Sequence, residues 1–481
     1  MRPPRSLAAV LALALIARVA AVAANGTARR LVVTFPRGDT KLASEACASL
    51  NRAPHLVSPA VETTKTAACL RARHARGACL RAFAAKGGLV DGFAGTLDRE
   101  ALACLGADGV SAEEDVEVGV PERFDSPSPR VAGEGRVSRP RALERRGLLA
   151  RDARPTGPLG DASAPSLFAD IAATPPWPLD RLDQVSLPLD GARARLGGAG
   201  VRVFVLDTGV RASHVEFARP GSRPGSNLGL GRDVIEDEDA DAGASEDRDG
   251  HGTHVAALVA GATTGAAPLA TVHSVRVLGR GGGGRVSDVL AGLEWTRAFL
   301  ESKGSPKTRV PSVVVLALGA KPGVASATLE RAVARLAETH GVFVVAAGGN
   351  DPSLSACAMS PARAERVFAV GASDETDVAY AHGSGGACLD AFAPGVRARS
   401  AFVAGNDDAA YAEMSGSSMA AGVAAGVAAH FLGRHPDASP EETRAALARA
   451  ASTGKVRTFG GAGTPEGAPL LRVPPAWARA R

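Results

Sequence analysis

The sequence predicts a parallel α/β sheet with helices on both faces, preceded by a small α+β domain. From residue 202 onward, short, largely apolar runs ("VRVFVLD", "TVHSVRVL", "PSVVVLALG", "VFVVAAGG", "RVFAVGA") alternate with amphipathic stretches such as "VSDVLAGLEWTRAFLESKG" and "SATLERAVARLAETHG". Strands apolar on every position are covered on both faces, and the helices between them supply the crossovers that parallel pairing needs. Ligands in such sheets bind at the carboxyl ends of the strands.

Residues 29–120 open on the strand-like "RRLVVTF", pass through Ala-rich helical stretches, and close on "LGADGVSAEEDVEVGV", where strand-like alternation returns. Residues 121–175 are rich in Pro, Arg, Ser and Gly, show no periodicity, and read as a linker. Arg145-Arg146 and the Arg151, Arg154 pair in it offer sites to a basic-site protease, although solvated disorder is the plainer reading. Residues 176–453 form the α/β domain. Its last helix starts with Ser439 as cap, Pro440 at the first position and Glu442 completing a capping box. Residues 454–481, rich in Pro and Gly, read as a tail.

The first residues, "MRPPRSLAAVLALALIARVAAVAANGT", place Arg2 and Arg5 before an apolar run and small residues at Ala21 and Ala23, the pattern of a secretory leader over residues 1–24. Arg18 interrupts that run, which is shorter than the roughly 20 apolar residues a span requires, so no membrane span is expected. Asn25 opens the only glycosylation sequon. Six cysteines suit an oxidising compartment. Cys47, Cys69, Cys79 and Cys104 allow three pairings, whereas Cys357 and Cys388 have only each other nearby. No CxxC occurs, which disfavours zinc, and no residue is assigned as a metal ligand. A net charge of +5 spread over 481 residues, with only 4% aromatics and no basic stripe, argues against nucleic acid as a partner.

The chemistry gathers at four strand ends and helix starts. Asp207 closes the first buried strand in "VFVLDTGV", where an unpaired carboxylate would be costly. "DGHGTHVAALVAG" puts His251 between glycines at the start of a small-residue helix. "AAGGN" sets Asn350 just past another strand, and "GSSMA" sets Ser418 at the start of the helix "MAAGVAAGVAAHFL". A serine hydroxyl attacks poorly without a positioned base. His251 can take its proton and pass it to a leaving amine, Asp207 can hold the imidazole in one tautomer, and Asn350 with the Ser418 N–H can receive an oxyanion at a helix N-terminus.

Each fragment has a competitor. "DTGV" alone suggests an aspartic protease, but the second Asp-Thr/Ser-Gly that a single chain needs is missing. His251 and His254 lie three apart without the intervening Glu of a zincin, so His254 reads as a packed helix residue. "GRGGGG", residues 279–284, matches GxGxxG, yet the next strand ends without the acidic residue that a dinucleotide ribose requires. The loop reads better as extended backbone, with Gly282, Gly283 and Gly284 pairing a substrate strand opposite "ALGA", residues 317–320, which contains Leu318 and Gly319.

The order Asp, His, Ser, with "VLDTGV", "HGTHVA", "AAGGN" and "GSSMA", resembles the subtilisin-like serine proteases (peptidase S8) over roughly residues 177–450. "PPWPLDRLD", "VRVLGRGGGGRVSDVLAGLEW", "ACAMSPARAERVFAVGASD" and "ACLDAFAPG" resemble the proteinase K branch and, within it, the proprotein convertase subtilisin/kexin type-nine group. The resemblance implies a subtilisin-like sheet, a Cys357–Cys388 disulfide, and residues 29–120 as an inhibitor-like prosegment that the enzyme itself removes near residues 169–174. It implies a secreted endopeptidase that needs no cofactor, with protein or peptide substrates and its own prosegment as partners. Structural calcium is allowed at the acidic run between Asp207 and His251, otherwise a solvated loop, or at Asp390. The alternative is a self-cleaving, prosegment-bound regulator of a cell-surface lipoprotein receptor, to whose contact stretch Asn406 and Tyr411 correspond in part. Ser417 stands where the family carries Thr, and Gly422-Val423 where it carries Pro-His; glycine inside a helix costs about 1 kcal/mol, which predicts a looser hold on Ser418.

Overall fold

The structure is a computed structural model that describes residues 29–35, 47, 77–83, 88–97, 111–121, 175–194, 196–219, 222–235, 246–303, 310–321, 324–458 and 468–478. The expected leader, Asn25, Cys69, Cys104 and residues 169–174 lie outside this set.

In chain order the first strands are β1 (Arg29–Thr34), β2 (Gly77–Phe83), β3 (Gly92–Leu97), β4 (Ser111–Glu114) and β5 (Glu117–Gly119). The first four form an antiparallel sheet ordered β2-β3-β1-β4, and Cys79 of β2 is bonded to Cys47. That choice among three pairings needed the fold, which brings the two Cα atoms to 5.2 Å.

Helix α1 (Trp177–Leu182) leads into the second region: β6 (Arg202–Asp207), β7 (Arg232–Asp233), α2 (His251–Ala260), β8 (Thr271–Arg276), β9 (Gly283–Arg285), α3 (Val286–Lys303), β10 (Ser312–Leu316) and β11 (Gly319–Ala320). There follow α4 (Ala327–His340), β12 (Phe343–Ala347), β13 (Val367–Ser373), β14 (Ala391–Pro394), β15 (Ala398–Ala401), β16 (Tyr411–Met414), α5 (Ser417–Arg434) and α6 (Pro440–Ala450). Seven strands make one sheet in the order β14-β13-β12-β10-β6-β8-β7, and every pairing in it is parallel.

Side chains alternate across each strand, and the two faces build two cores. Val203, Val205, Val313, Val315 and Val345 pack with α2 and α5. Phe204, Leu206, Val314, Leu316 and Val344 pack with α3 and α4 on the other face. Each such side chain contributes about 1.5–3 kcal/mol by leaving water. The second core also takes in Val32, Phe83 and Ala94, so the N-terminal sheet docks on the α3 and α4 side.

Ser439 caps α6 in a capping box with Glu442. The tail read from residue 454 onward is corrected in part: Leu470, Leu471 and Val473 are fully buried, and the Leu471 N–H donates to Phe392 O while Val473 N–H donates to Leu182 O. Proline and glycine content hid a segment that completes the core.

Candidate active site

β6 lies at the point where chain order reverses, because the strands that follow it, β8 and β10, lie on opposite sides of it. Such a point opens a crevice at the carboxyl ends. Asp207 is the last residue of β6 and is fully buried. His251 begins α2, and its Nδ1 lies 2.8 Å from Asp207 Oδ1; the Thr208 N–H donates to the same oxygen at 2.7 Å. A buried carboxylate bonded to Nδ1 selects the imidazole tautomer with its proton on that nitrogen.

Glycines let α2 approach. A Cβ on Gly252 would meet Gly209 O at 2.2 Å, and Gly250, at φ 104°, would drive a Cβ into the Phe402 ring at 2.6 Å. Asp247 organises the same turn. Its Oδ1 accepts from Thr208 Oγ, Asp249 N and Gly250 N, and its Oδ2 accepts from Thr253 N and Oγ. Burial pushes this carboxyl's pKa up against those donors, which pull it down. The acidic run is therefore not a solvated loop throughout: Asp247 is 2% exposed. The signal in the sequence was an Asp four residues before His251, hidden among its acidic neighbours. His254 is also buried, with Nε2 3.1 Å from both Ala398 O and Ala412 O, a packed position.

Ser418 is the second residue of α5 and fully buried. α2 and α5 run the same way: Gly422 packs against Val255 and Leu258, and Gly426 against Val259. One turn back, this register brings Ser418 level with His251. Gly422 lies tightly against α2, where an added Cβ would be 3.1 Å from Val255 O. Ser418 Oγ donates to Ala317 O at 3.2 Å. Asn350 accepts the Ser417 N–H on Oδ1 at 2.9 Å, while its Nδ2 is buried without a hydrogen-bond partner among the described residues. The amide donor is thus spare beside the N-terminus of α5, where the helix dipole favours negative charge.

The glycine loop and "ALGA" form the cleft. β9 and β11 flank β5 in a three-stranded antiparallel sheet. Gly119 lies opposite both Gly283 and Gly319, Val118 opposite Gly284 and Ala320, and the Val120 N–H donates to Gly282 O at 3.0 Å. Val118 and Val120 are each 1% exposed. Leu318 contributes backbone only, its side chain being buried in the core. Asp249 ties cleft to helix, accepting from His251 N and from Gly281 N.

Cys357 and Cys388 are joined by a disulfide. Asp390, expected to allow calcium, instead accepts from Ala369 N and pairs with Arg444. A different cluster suits a cation. Asp180, Asp183 and Asp190 present oxygens within 4.8 Å of one another, and Gln184 beside them has a buried Oε1 without a partner among the described residues. Hard oxygen donors of this kind suit calcium. Of the two residues set against a receptor-contact stretch, Asn406 is exposed, whereas Tyr411 is 2% exposed and donates its hydroxyl to Glu216 at 2.6 Å. Among the described residues no helix is long and apolar enough to cross a membrane.

Fold and site together define a class: α/β proteins that set a carboxylate, an imidazole and a serine hydroxyl at the carboxyl edge of a parallel sheet. The comparisons narrow it. The subtilase family model (Peptidase_S8) matches residues 198–464, and the chain belongs to the subtilase family. It is 40% identical over 285 residues to an extracellular serine proteinase of Thermus sp. (strain Rt41A), covering 59% of this chain and 63% of that one. It is likewise 40% identical over 281 residues to alkaline serine exoprotease A of Vibrio alginolyticus, covering 58% of this chain and 47% of that one. The chain thus spans between about half and two thirds of the length of these relatives. A crystal structure of a cold adapted subtilisin-like serine proteinase superposes with a TM-score of 0.53 at 33% identity, covering 64% of this chain and all of the other.

Proposed function

We propose that this chain is a secreted serine endopeptidase of the proteinase K branch, made as a precursor that processes itself. The observation that carries the reading is the cleft: β5 lies between β9 and β11, held by main-chain pairing with Val118 buried. A site that accepts a third strand recognises extended polypeptide. His251 takes the Ser418 proton as Oγ attacks a peptide carbonyl, Asp207 stabilises the imidazolium, and Asn350 Nδ2 with the Ser418 N–H receives the oxyanion. His251 then protonates the leaving amine, and water hydrolyses the acyl-enzyme. Residues 29–120 act as an inhibitor-like prosegment, their last strand occupying the substrate cleft. Asp180, Asp183, Asp190 and Gln184 would hold a structural calcium ion, whose positive charge would offset their clustered carboxylates.

The experiment compares wild type with Ser418→Ala on a mixed peptide library. Turnover by wild type alone is expected; equal release by both chains would end the reading.

A further inference from the structure

The register of β5 singles out one peptide bond. β5 pairs antiparallel with β11, Val118 opposite Ala320 and Gly119 opposite Gly319. Two residues beyond Gly119 is Pro121, and two residues before Gly319 is Ala317. Ala317 O is the atom that accepts the Ser418 hydroxyl at 3.2 Å. The pairing with β9 agrees: continuing from Gly119 opposite Gly283, the Val120 N–H reaches Gly282 O. Pro121 lies two residues beyond the end of β5, where the chain enters a 3-10 turn, and is buried. In a ladder, the residue opposite Ala317 would donate its N–H to that carbonyl, but proline has none. The Ser418 hydroxyl takes the place of that donor.

We propose that Pro121 is the residue presented to Ser418, so that self-processing cuts after Pro121 rather than near residues 169–174. This rests on the endopeptidase reading and adds the position of the cut. Ser418 Oγ attacks the Pro121 carbonyl carbon while His251 takes its proton. The Pro121 C–N bond breaks, and the amine that becomes the new N-terminus at Glu122 receives that proton. Water then releases a prosegment ending in the Pro121 carboxylate and restores the Ser418 hydroxyl. Burial of Val118 and Val120 keeps the severed strand in the cleft, and residues 122–174 stay joined to the protease. The missing N–H makes Pro121 a slow substrate, because the nucleophile's own hydroxyl is engaged at Ala317 O.

The test expresses the full chain as wild type, Ser418→Ala and Pro121→Ala in a secretory host. It reads the C-terminus of the prosegment fragment and the N-terminus of the protease fragment by intact mass and sequencing, and assays the same wild-type preparation on peptides. The expected result is a prosegment ending at residue 121 in wild type, none in Ser418→Ala, and a several-fold faster cut at the same position in Pro121→Ala. A prosegment ending elsewhere, residues 169–174 included, or the same fragment from Ser418→Ala, overturns the proposal. Peptide turnover with a cut elsewhere sinks the assigned position and leaves the endopeptidase standing; neither turnover nor cut sinks both.

Discussion

Asn350 and Ser417 lock two loops together: the Ser417 N–H donates to Asn350 Oδ1 at 2.9 Å, and the Ser417 hydroxyl accepts from Gly349 N–H at 3.1 Å. The pair fixes the orientation of the Asn350 amide, whose Nδ2 is the donor proposed for the oxyanion. Asn350→Ala should therefore lower kcat by about 10²–10³-fold with little change in KM. Ser417→Ala, which removes one bond of about 1 kcal/mol, should cost only a few-fold, and Ser417→Thr should restore it. Steady-state kinetics on one peptide substrate would check all three.

In the proposed mechanism Asp207 acts through the imidazole, whose Nδ1 lies 2.8 Å from its Oδ1. Asp207→Asn keeps the shape but favours the wrong tautomer, and should lower kcat by about 10⁴-fold near neutral pH. Asp247→Asn replaces one of the two accepting oxygens by an amide N–H₂ that faces at least two of the five donors. It should lower the denaturant midpoint by an amount equivalent to about 1–3 kcal/mol.

Glu113 makes the contact of the proposed prosegment sensitive to pH. Its carboxylate accepts from Ser326 Oγ and from Thr328 N–H at the start of α4, and burial outweighs these bonds and raises its pKa above the usual carboxylate value. A raised pKa in the complex means the protonated form is favoured there. The contribution is full below the ordinary value and is lost as pH rises through the raised one. The prosegment should bind more weakly as pH climbs from about 4 to neutrality, and Glu113→Gln should flatten that slope; pH-dependent titration of the prosegment would check both.

Arg181 and Asp377 form a buried bidentate pair, with Nε and Nη2 at 2.7 and 3.0 Å from the two carboxylate oxygens. Arg181→Met leaves Asp377 buried and unpaired, and should cost about 3–5 kcal/mol. The double change Arg181→Met, Asp377→Asn should recover part of that loss in the same thermal melt.

Removing the proposed calcium ion should destabilise the protein. At free calcium about 100-fold above Kd the ion contributes roughly 2.7 kcal/mol, so a chelator should lower Tm by several degrees. Asp183→Asn should abolish the calcium dependence while leaving the Asp207 to His251 bond intact, which a calorimetric scan with and without calcium would read.

Much of the scaffold was legible in the chain itself. Runs such as "VFVLD" and "SVVVL" declare strands covered on both sides because a side chain on either face must leave water, and amphipathic stretches between them declare parallel order. The residues 207, 251, 350 and 418 stood out because each sits where a periodic pattern breaks, which is where backbone must turn at the sheet edge. Asp247 did not stand out, since one buried carboxylate among several exposed ones carries no local mark.

By itself, then, the sequence determined the parallel α/β sheet, its covered faces and the four positions at its edge, all of which follow from short-range periodicity. Only the tertiary structure decided that Cys47 pairs with Cys79, that residues 468–473 complete the core, that Gly422 is a contact point, and that β5 lies between β9 and β11. Those outcomes depend on which distant segments meet in register, and the free energy that chooses among such meetings comes from burial and hydrogen bonds between parts of the chain that carry no trace of each other in their letters.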